Sequence, residues 1–441
     1  MRVFLQGYLC IVTTTLILAV VFVDSYKRED SGTQLASMAP ISIPLPAEEA
    51  EPVEVDCDTG EIMEVAEPVV EVASLEMTAP MELVESVPDS PVENPVEEEA
   101  PIGEEEITEV VEDEVEEKEE PKPDPAFELV LPTENREIFG DPSKFFMHTN
   151  RYIDGVNTKP WNGGNYGYVR NQLTTGIGVL YTRLHEGIDI RPLHRDSKGV
   201  PLDVVGAIAE GTVVYVNNSS SRSNYGKYIV VRHDWPDGPF YSLYAHMASS
   251  IVESGQELIA GQPIGKLGYT GAGIDRERAH VHLELAFMIS ENFATKFSPG
   301  NRHKNYNGLN LLGIDVARYF REYQLNPYLT MKEFLEGEEP YCKVKTSSRN
   351  KPGILERHPW LGRNMEFESE AKSWEFTFAR TGVPLAISPC ETEQKYATVS
   401  WVKNVNTNHS YMTAGRLLGS KDSAKLSTRG HSFIKLISEA Y

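Results

Sequence analysis

Tyr228-Ile-Val-Val-Arg-His-Asp-Trp-Pro-Asp-Gly-Pro-Phe-Tyr-Ser-Leu-Tyr-Ala-His246 decides the fold class. Residues 228–232 and 240–246 are apolar runs rich in β-branched and aromatic side chains, the composition of strands. Between them, in residues 234–239, proline presets φ and Gly238 accepts a positive φ, so the two runs fold back as a hairpin. Alternation along the second run puts Phe240, Ser242, Tyr244 and His246 on one face. His246 is therefore expected to look into a groove with Tyr244 beside it. His233, at the end of the first run, reads as a turn residue.

The same pattern extends to both sides. Residues 204–209 lead through Glu210-Gly211 into 212–216, two apolar runs about a tight turn. Downstream, Gly255, Gly261, Gly265, Gly268 and Gly271 separate short apolar pieces such as Leu258-Ile259 and Pro263-Ile264. Glycine at such intervals signals repeated sharp turns in a small, heavily wrapped β fold. Residues 281–287 form a further strand, entered through His280-Val-His282. Side chains two apart on a strand share a face, so both imidazoles reach one point. His185-Glu-Gly-Ile-Asp189 adds a histidine and a carboxylate, and Gly187 with Pro192 argues for strand or loop there rather than helix. Histidines and a carboxylate are what a hydrolytic zinc uses as its three protein ligands, the fourth position holding water. His148, His194, His303, His358, His409 and His431 have no partner at ligand spacing and read as ordinary surface or core residues.

In combination, His185-Glu-Gly-Ile-Asp189, Tyr244-Ala-His246, Gly261-Gln-Pro-Ile-Gly265 and Ala279-His-Val-His-Leu-Glu284 resemble the lysostaphin and LytM type of zinc metallopeptidase, the murein endopeptidases. The resemblance covers residues 160–300, roughly. It implies one Zn²⁺ held by His185, Asp189 and His282, with His246 and His280 assisting catalysis. It also implies a compact antiparallel β fold of interlocked hairpins with a groove, of the duplicated-hybrid-motif kind. The implied reaction is hydrolysis of peptide bonds in peptidoglycan, in cross-links or stem peptides, with a D,D-endopeptidase as the first expectation. Tyr181 and Tyr244 are candidates for the groove wall, against the plainer reading of aromatic packing, and residues 193–201 form an insert that would narrow the groove.

Other classes fit less well. No serine stands in a Gly-x-Ser-x-Gly elbow near these histidines. A biotin or lipoyl carrier needs a lysine at a hairpin tip, and none stands out. A non-catalytic regulator of cell-wall hydrolases, or a wall-binding module, is the alternative; such relatives usually lack several ligands, and all five positions are filled here.

Composition divides the chain further. Arg2 and the apolar residues 3–23 read as a signal peptide or a membrane anchor, residues 4–23 being near the ~20 needed to span a bilayer. Cys10 lacks the small residues of a lipoprotein signal. The remainder is expected to be exported to the periplasm or cell envelope, where peptidoglycan is the partner; the membrane is met only through the N-terminal segment, and nucleic acid is not an expected partner. Residues 48–125 carry 30 acidic side chains against Lys118 and Lys122, a formal −28 out of −25 for the whole chain, so the rest is slightly basic. Such a segment cannot bury enough apolar surface to fold. The expected organisation is 1–25 export signal or anchor, 26–128 disordered acidic Glu/Pro/Val-rich linker, 129–304 metallopeptidase domain, and 305–441 a C-terminal α+β extension. In that extension residues 315–323 have helical periodicity, Thr330 to Glu333 is a capping box, and 374–378 and 397–402 read as strands. Cys342 and Cys390 could pair in an oxidising compartment.

Overall fold

Alternating apolar residues build the sheets that carry the histidines. The computed structural model describes residues 125–153, 155–167, 172–175, 178–181 and 184–440. The N-terminal apolar run and the acidic segment up to 124 lie outside them. Up to Ile314 the described strands are β1 (Tyr152–Ile153), β2 (Val156–Asn157), β3 (Gln172–Thr175), β4 (Gly178–Tyr181), β5 (Ile188–Ile190), β6 (Val204–Gly206), β7 (Gly211–Asn217), β8 (Tyr228–Trp235), β9 (Gly238–Ala245), β10 (Ser249–Ser250), β11 (Glu257–Leu258), β12 (Pro263–Lys266), β13 (Val281–Met288) and β14 (Leu311–Ile314). The largest sheet is antiparallel and has seven strands, in the order β11-β7-β8-β9-β13-β14, with β5 also on β13. β5 and β14 share one edge of β13, β5 opposite Val281 to Leu283 and β14 opposite Leu285 to Met288. A second sheet, β10-β12-β6, wraps beside it.

The β8–β9 hairpin forms as the sequence predicts, but tighter: the strands run on until Trp235 faces Gly238. Its neighbour does not form as read. Residues 204–209 and 212–216 fall in different sheets, because β6 pairs with β12 and β7 pairs with β8 and β11.

Alternation gives β13 two different faces. Val281, Leu283, Leu285 and Phe287 enter the main core with Phe240 and Tyr244 of β9 and Ile188 and Ile190 of β5. Ala286 and Met288 enter a smaller cluster on the other face with Tyr228, Tyr241, Leu243 and Ala245. His282 and Glu284 continue that second face, and Asp189 lies on it directly opposite His282.

The main core reaches beyond the strands just described. Phe127, expected within the acidic linker, is buried in it and stacks on Trp235 with ring centroids 4.2 Å apart. At the other end, four further strands, β15 (Pro340–Lys345), β16 (Ser373–Ala379), β17 (Pro384–Cys390) and β18 (Thr398–Val402), form an antiparallel sheet in the order β17-β16-β15-β18. The expected helix begins at Val316, capped by Asp315, and Thr330 and Glu333 make both bonds of a capping box. The tip of the β8–β9 hairpin is seated in this region: Asp237 O accepts from Trp360 Nε1 at 2.7 Å and His358 Nδ1 at 3.0 Å. Cys342 and Cys390 are free, contrary to the possible disulfide. Cys342 faces Phe378 and Cys390 faces Ser373, so they sit about five residues apart along the sheet and two strands across, roughly 17 Å on the length alone, far beyond the ~7 Å a disulfide spans.

Candidate metal centre

The main-chain path around His185 explains its neighbouring glycine. The turn into β5 brings Gly187 against β13 so closely that a Cβ there would lie 2.2 Å from Leu283 O. Only glycine fits, and the close approach brings His185 and Asp189 to the end of β13 where His282 stands.

Three donor atoms meet there. His185 Nε2 is 3.1 Å from Asp189 Oδ1 and 3.0 Å from His282 Nδ1, and His282 Nδ1 is 2.9 Å from Asp189 Oδ1. All three residues are buried. A tetrahedral ion with bonds of about 2.0–2.1 Å places its ligand atoms about 3.3 Å apart. The observed triangle is a few tenths of an ångström smaller, so a zinc-sized ion fits with a slight outward shift of the side chains. The donor set, two imidazoles and a carboxylate, also suits zinc.

Hydrogen bonds set which ring nitrogen faces this point. His185 Nδ1 donates to Asn165 O at 2.8 Å, His246 Nδ1 to Thr270 O at 2.7 Å and His280 Nδ1 to Arg278 O at 2.6 Å. A carbonyl only accepts, so each Nδ1 carries a proton and each neutral ring presents a bare Nε2. His282 is reversed: its Nε2 lies 2.9 Å from Glu284 Oε1, leaving Nδ1 for the centre. Burial alone would lower the pKa of His282, but its bonds to Asp189 and Glu284 outweigh burial and raise it to about 9 in the metal-free chain. His246 goes the other way: burial first, then the neighbouring His280 and His282, holds it well below the ordinary histidine value, so it is neutral at pH 7.

His246 reaches the centre by a route the sequence does not show. Continued alternation would send it to the main-core face with Tyr244. Instead β9 ends at Ala245 and His246 takes φ 59°, which turns its ring to within 4.8 Å of His280 and 5.9 Å of His282, centroid to centroid. The expected company of Tyr244 is therefore corrected: Tyr244 is fully buried on the opposite face, where its hydroxyl accepts from Ile208 N at 2.8 Å. The tyrosine is core, not groove wall, because the reversal at His246 separates the two side chains. Tyr181 closes β4, and its side chain lies outside the described residues. His233 is no turn residue; it is buried within β8, with Nδ1 2.6 Å from Glu210 O. His280 Nε2 stands 3.3 Å from Asp189 Oδ1 and makes no hydrogen bond, although it is buried.

Glu284 is a further functional residue of the centre. Its Oε1 also accepts from Tyr225 OH at 2.6 Å, and the carboxylate is fully buried. The signal was available: Glu284 is two residues beyond His282 on one strand, the same spacing that joins His280 to His282.

Part of this chain is similar to known proteins. The murein hydrolase activator NlpD of Salmonella dublin is 34% identical over 103 residues, which is 23% of this chain and 23% of the relative. The uncharacterized lipoprotein YgeR of Escherichia coli is 35% identical over 115 residues, 26% of this chain and 39% of the relative. The chain thus spans well under half the length of these curated relatives. Among solved structures, the catalytic domain of the antimicrobial peptidase lysostaphin from Staphylococcus simulans is 25% identical, covering 28% of this chain and 76% of that one with a TM-score of 0.20. The family model described as Peptidase family M23 matches residues 183–292, the segment that contains all five centre residues. Residues 183–292 therefore match the model of that peptidase family, and they fold as antiparallel β strands.

Proposed function

We propose that the chain is a zinc-dependent endopeptidase of peptidoglycan, exported to the cell envelope and either released there or anchored through residues 4–23. The observation that carries this reading is the triangle of His185 Nε2, Asp189 Oδ1 and His282 Nδ1, with sides of 2.9–3.1 Å, flanked by two further imidazoles. Zinc bound there supplies a Lewis acid that polarises an amide carbonyl and lowers the pKa of water to about 7.

The chain's own residues do the rest. His246 and His280 each present a bare Nε2, so one of them accepts a proton from the attacking water as its oxygen bonds to the amide carbon. The resulting imidazolium carries Nε2–H and can return that proton to the departing amine as the carbon–nitrogen bond breaks. Burial keeps His246 neutral and ready for the first of these steps. Asn165 O, Thr270 O, Arg278 O and Glu284 Oε1 keep the rings from turning between steps. Residues 26–124 are proposed to act as an acidic spacer between membrane and enzyme.

A second reading is a regulator of a separate cell-wall hydrolase, and the name murein hydrolase activator carried by the NlpD relatives favours it. The full set of five centre residues favours catalysis. The two are separated by incubating the zinc-loaded full chain, alone, with purified peptidoglycan and analysing products by mass spectrometry. New amine and carboxyl termini within stem peptides or cross-links support the enzyme. An absence of products alone, with faster digestion when a murein amidase is added, supports the regulator.

A further inference from the structure

We propose that Arg195 is a positioning residue for His280, acting through the backbone of residues 276–279, which carries the carbonyl that holds its ring. Its kinetic consequence rests on the peptidase reading; its structural consequence does not.

The two histidines depend on one loop. His246 Nδ1 donates to Thr270 O, at the beginning of residues 270–279, and His280 Nδ1 donates to Arg278 O, near the end. Those residues form neither helix nor strand, and Gly271 and Gly273 have φ of 101° and 71°. A loop of this composition has little intrinsic rigidity. The near end is anchored, because the Thr270 hydroxyl donates to Met247 O at 2.8 Å and accepts from Lys227 N at 3.0 Å; at the far end a shift of Arg278 O would release the Nδ1–H of His280 and let that ring flip or change tautomer.

Arg195 holds the far half of the loop. Its Nη1 donates to Arg276 O at 2.6 Å, and its Nη2 donates to Glu277 O at 3.1 Å and reaches Ala279 O at 3.5 Å. The planar guanidinium is suited to several acceptors fixed around one fork, which a lysine ammonium cannot reproduce. Arg278 ties the loop on its other side, donating to Gly273 O at 3.1 Å and His148 O at 3.3 Å.

Arg195 is itself mounted on a stiff platform. Buried Asp203 accepts from Leu193 N at 2.7 Å and His194 N at 3.0 Å, closing the base of the insert. Asp196 Oδ1 accepts from Lys198 N and Val200 N, both at 2.8 Å, closing its tip. Between them Arg195 Nη1 also donates to Gly199 O at 2.9 Å. The insert expected to narrow a groove is thus arranged as a brace. Two carboxylates fix it, and one arginine transmits that rigidity to the far half of the loop, on which the His280 ring depends.

The test uses the zinc-loaded full chain with Arg195→Lys and Arg195→Gln beside wild type. Hydrogen exchange, ¹⁵N ring shifts of His246 and His280, bound zinc, and kcat and KM on soluble cross-linked muropeptides are measured. The expected result in both variants is faster exchange confined to 276–280, a mixture of Nδ1–H and Nε2–H tautomers at His280 with His246 unchanged, and unchanged zinc content. With these, kcat falls about 10–100-fold while KM stays within a few-fold, the scale of a small misplacement of catalytic groups. Unchanged His280 ring shifts in both variants, or exchange that rises throughout the fold, overturns the proposal. If wild type cleaves nothing yet the ring shifts respond as expected, the brace stands and the peptidase reading falls.

Discussion

Glu284 Oε1 lies 2.9 Å from His282 Nε2 and so decides that His282 offers Nδ1, not Nε2, to Asp189 and His185. A carboxylate behind a metal-binding imidazole fixes its tautomer and orientation. Glu284→Gln is expected to weaken zinc binding by about 10–100-fold, measured by competition with a chromophoric chelator. Affinity equal to wild type would show that the carboxylate does not hold the ring.

The five centre residues should separate into two groups. His185→Ala removes one corner of the donor triangle and is expected to lose bound zinc and cleavage together. His246→Ala and His280→Ala are expected to keep zinc while kcat drops about 10²–10⁴-fold, the usual worth of a positioned acid or base. Metal content by elemental analysis, read beside muropeptide cleavage, checks this; loss of zinc in His246→Ala would move that residue into the binding group.

Tyr244 is a core residue, and its substitution should show it. Tyr244→Phe leaves Ile208 N without its 2.8 Å acceptor. A buried amide so deprived costs about 1–3 kcal/mol. Urea denaturation should report a loss in that range with kcat unchanged, whereas a large fall in kcat at wild-type stability would return Tyr244 to the groove.

Acid should weaken the fold through histidines buried away from the centre. Burial pushes both His233 and His358 down to about 4, below the 6.5 they have when unfolded. Between these values the unfolded chain binds protons that the folded chain refuses. Stability is therefore full above about pH 6.5 and is lost as the pH falls towards 4, by about 2 kcal/mol per histidine at pH 5. Denaturation midpoints at pH 7 and pH 5 check the slope, and His233→Gln should remove its own share, about 2 kcal/mol at pH 5. A flat profile in wild type would contradict the burial of these two rings.

Much of this centre was legible because strand periodicity is strict. The His-x-His pair at the entry to β13, and its placement in a β fold, follow from strand alternation. Where the backbone breaks that period, the sequence carries no sign of it: at His246 a positive φ sends the ring to the face opposite Tyr244, and no residue type announces it. Pairing partners were equally hidden. Residues 204–209 and 212–216 look like a hairpin, yet β6 finds its partner in β12, a choice made by distant residues rather than by the turn between them. The loop carbonyls that orient His185, His246 and His280 were invisible too, because any residue supplies a carbonyl.

The most direct measurement is zinc dependence of cleavage on one preparation. The full chain is stripped with chelator, then titrated with zinc, while bound metal and cleavage of purified peptidoglycan are followed together. Activity should be absent without metal and rise in proportion to zinc up to one ion per chain, with His185→Ala showing neither. Undiminished cleavage by the stripped protein, or by His185→Ala, would contradict a zinc peptidase centred on His185, Asp189 and His282.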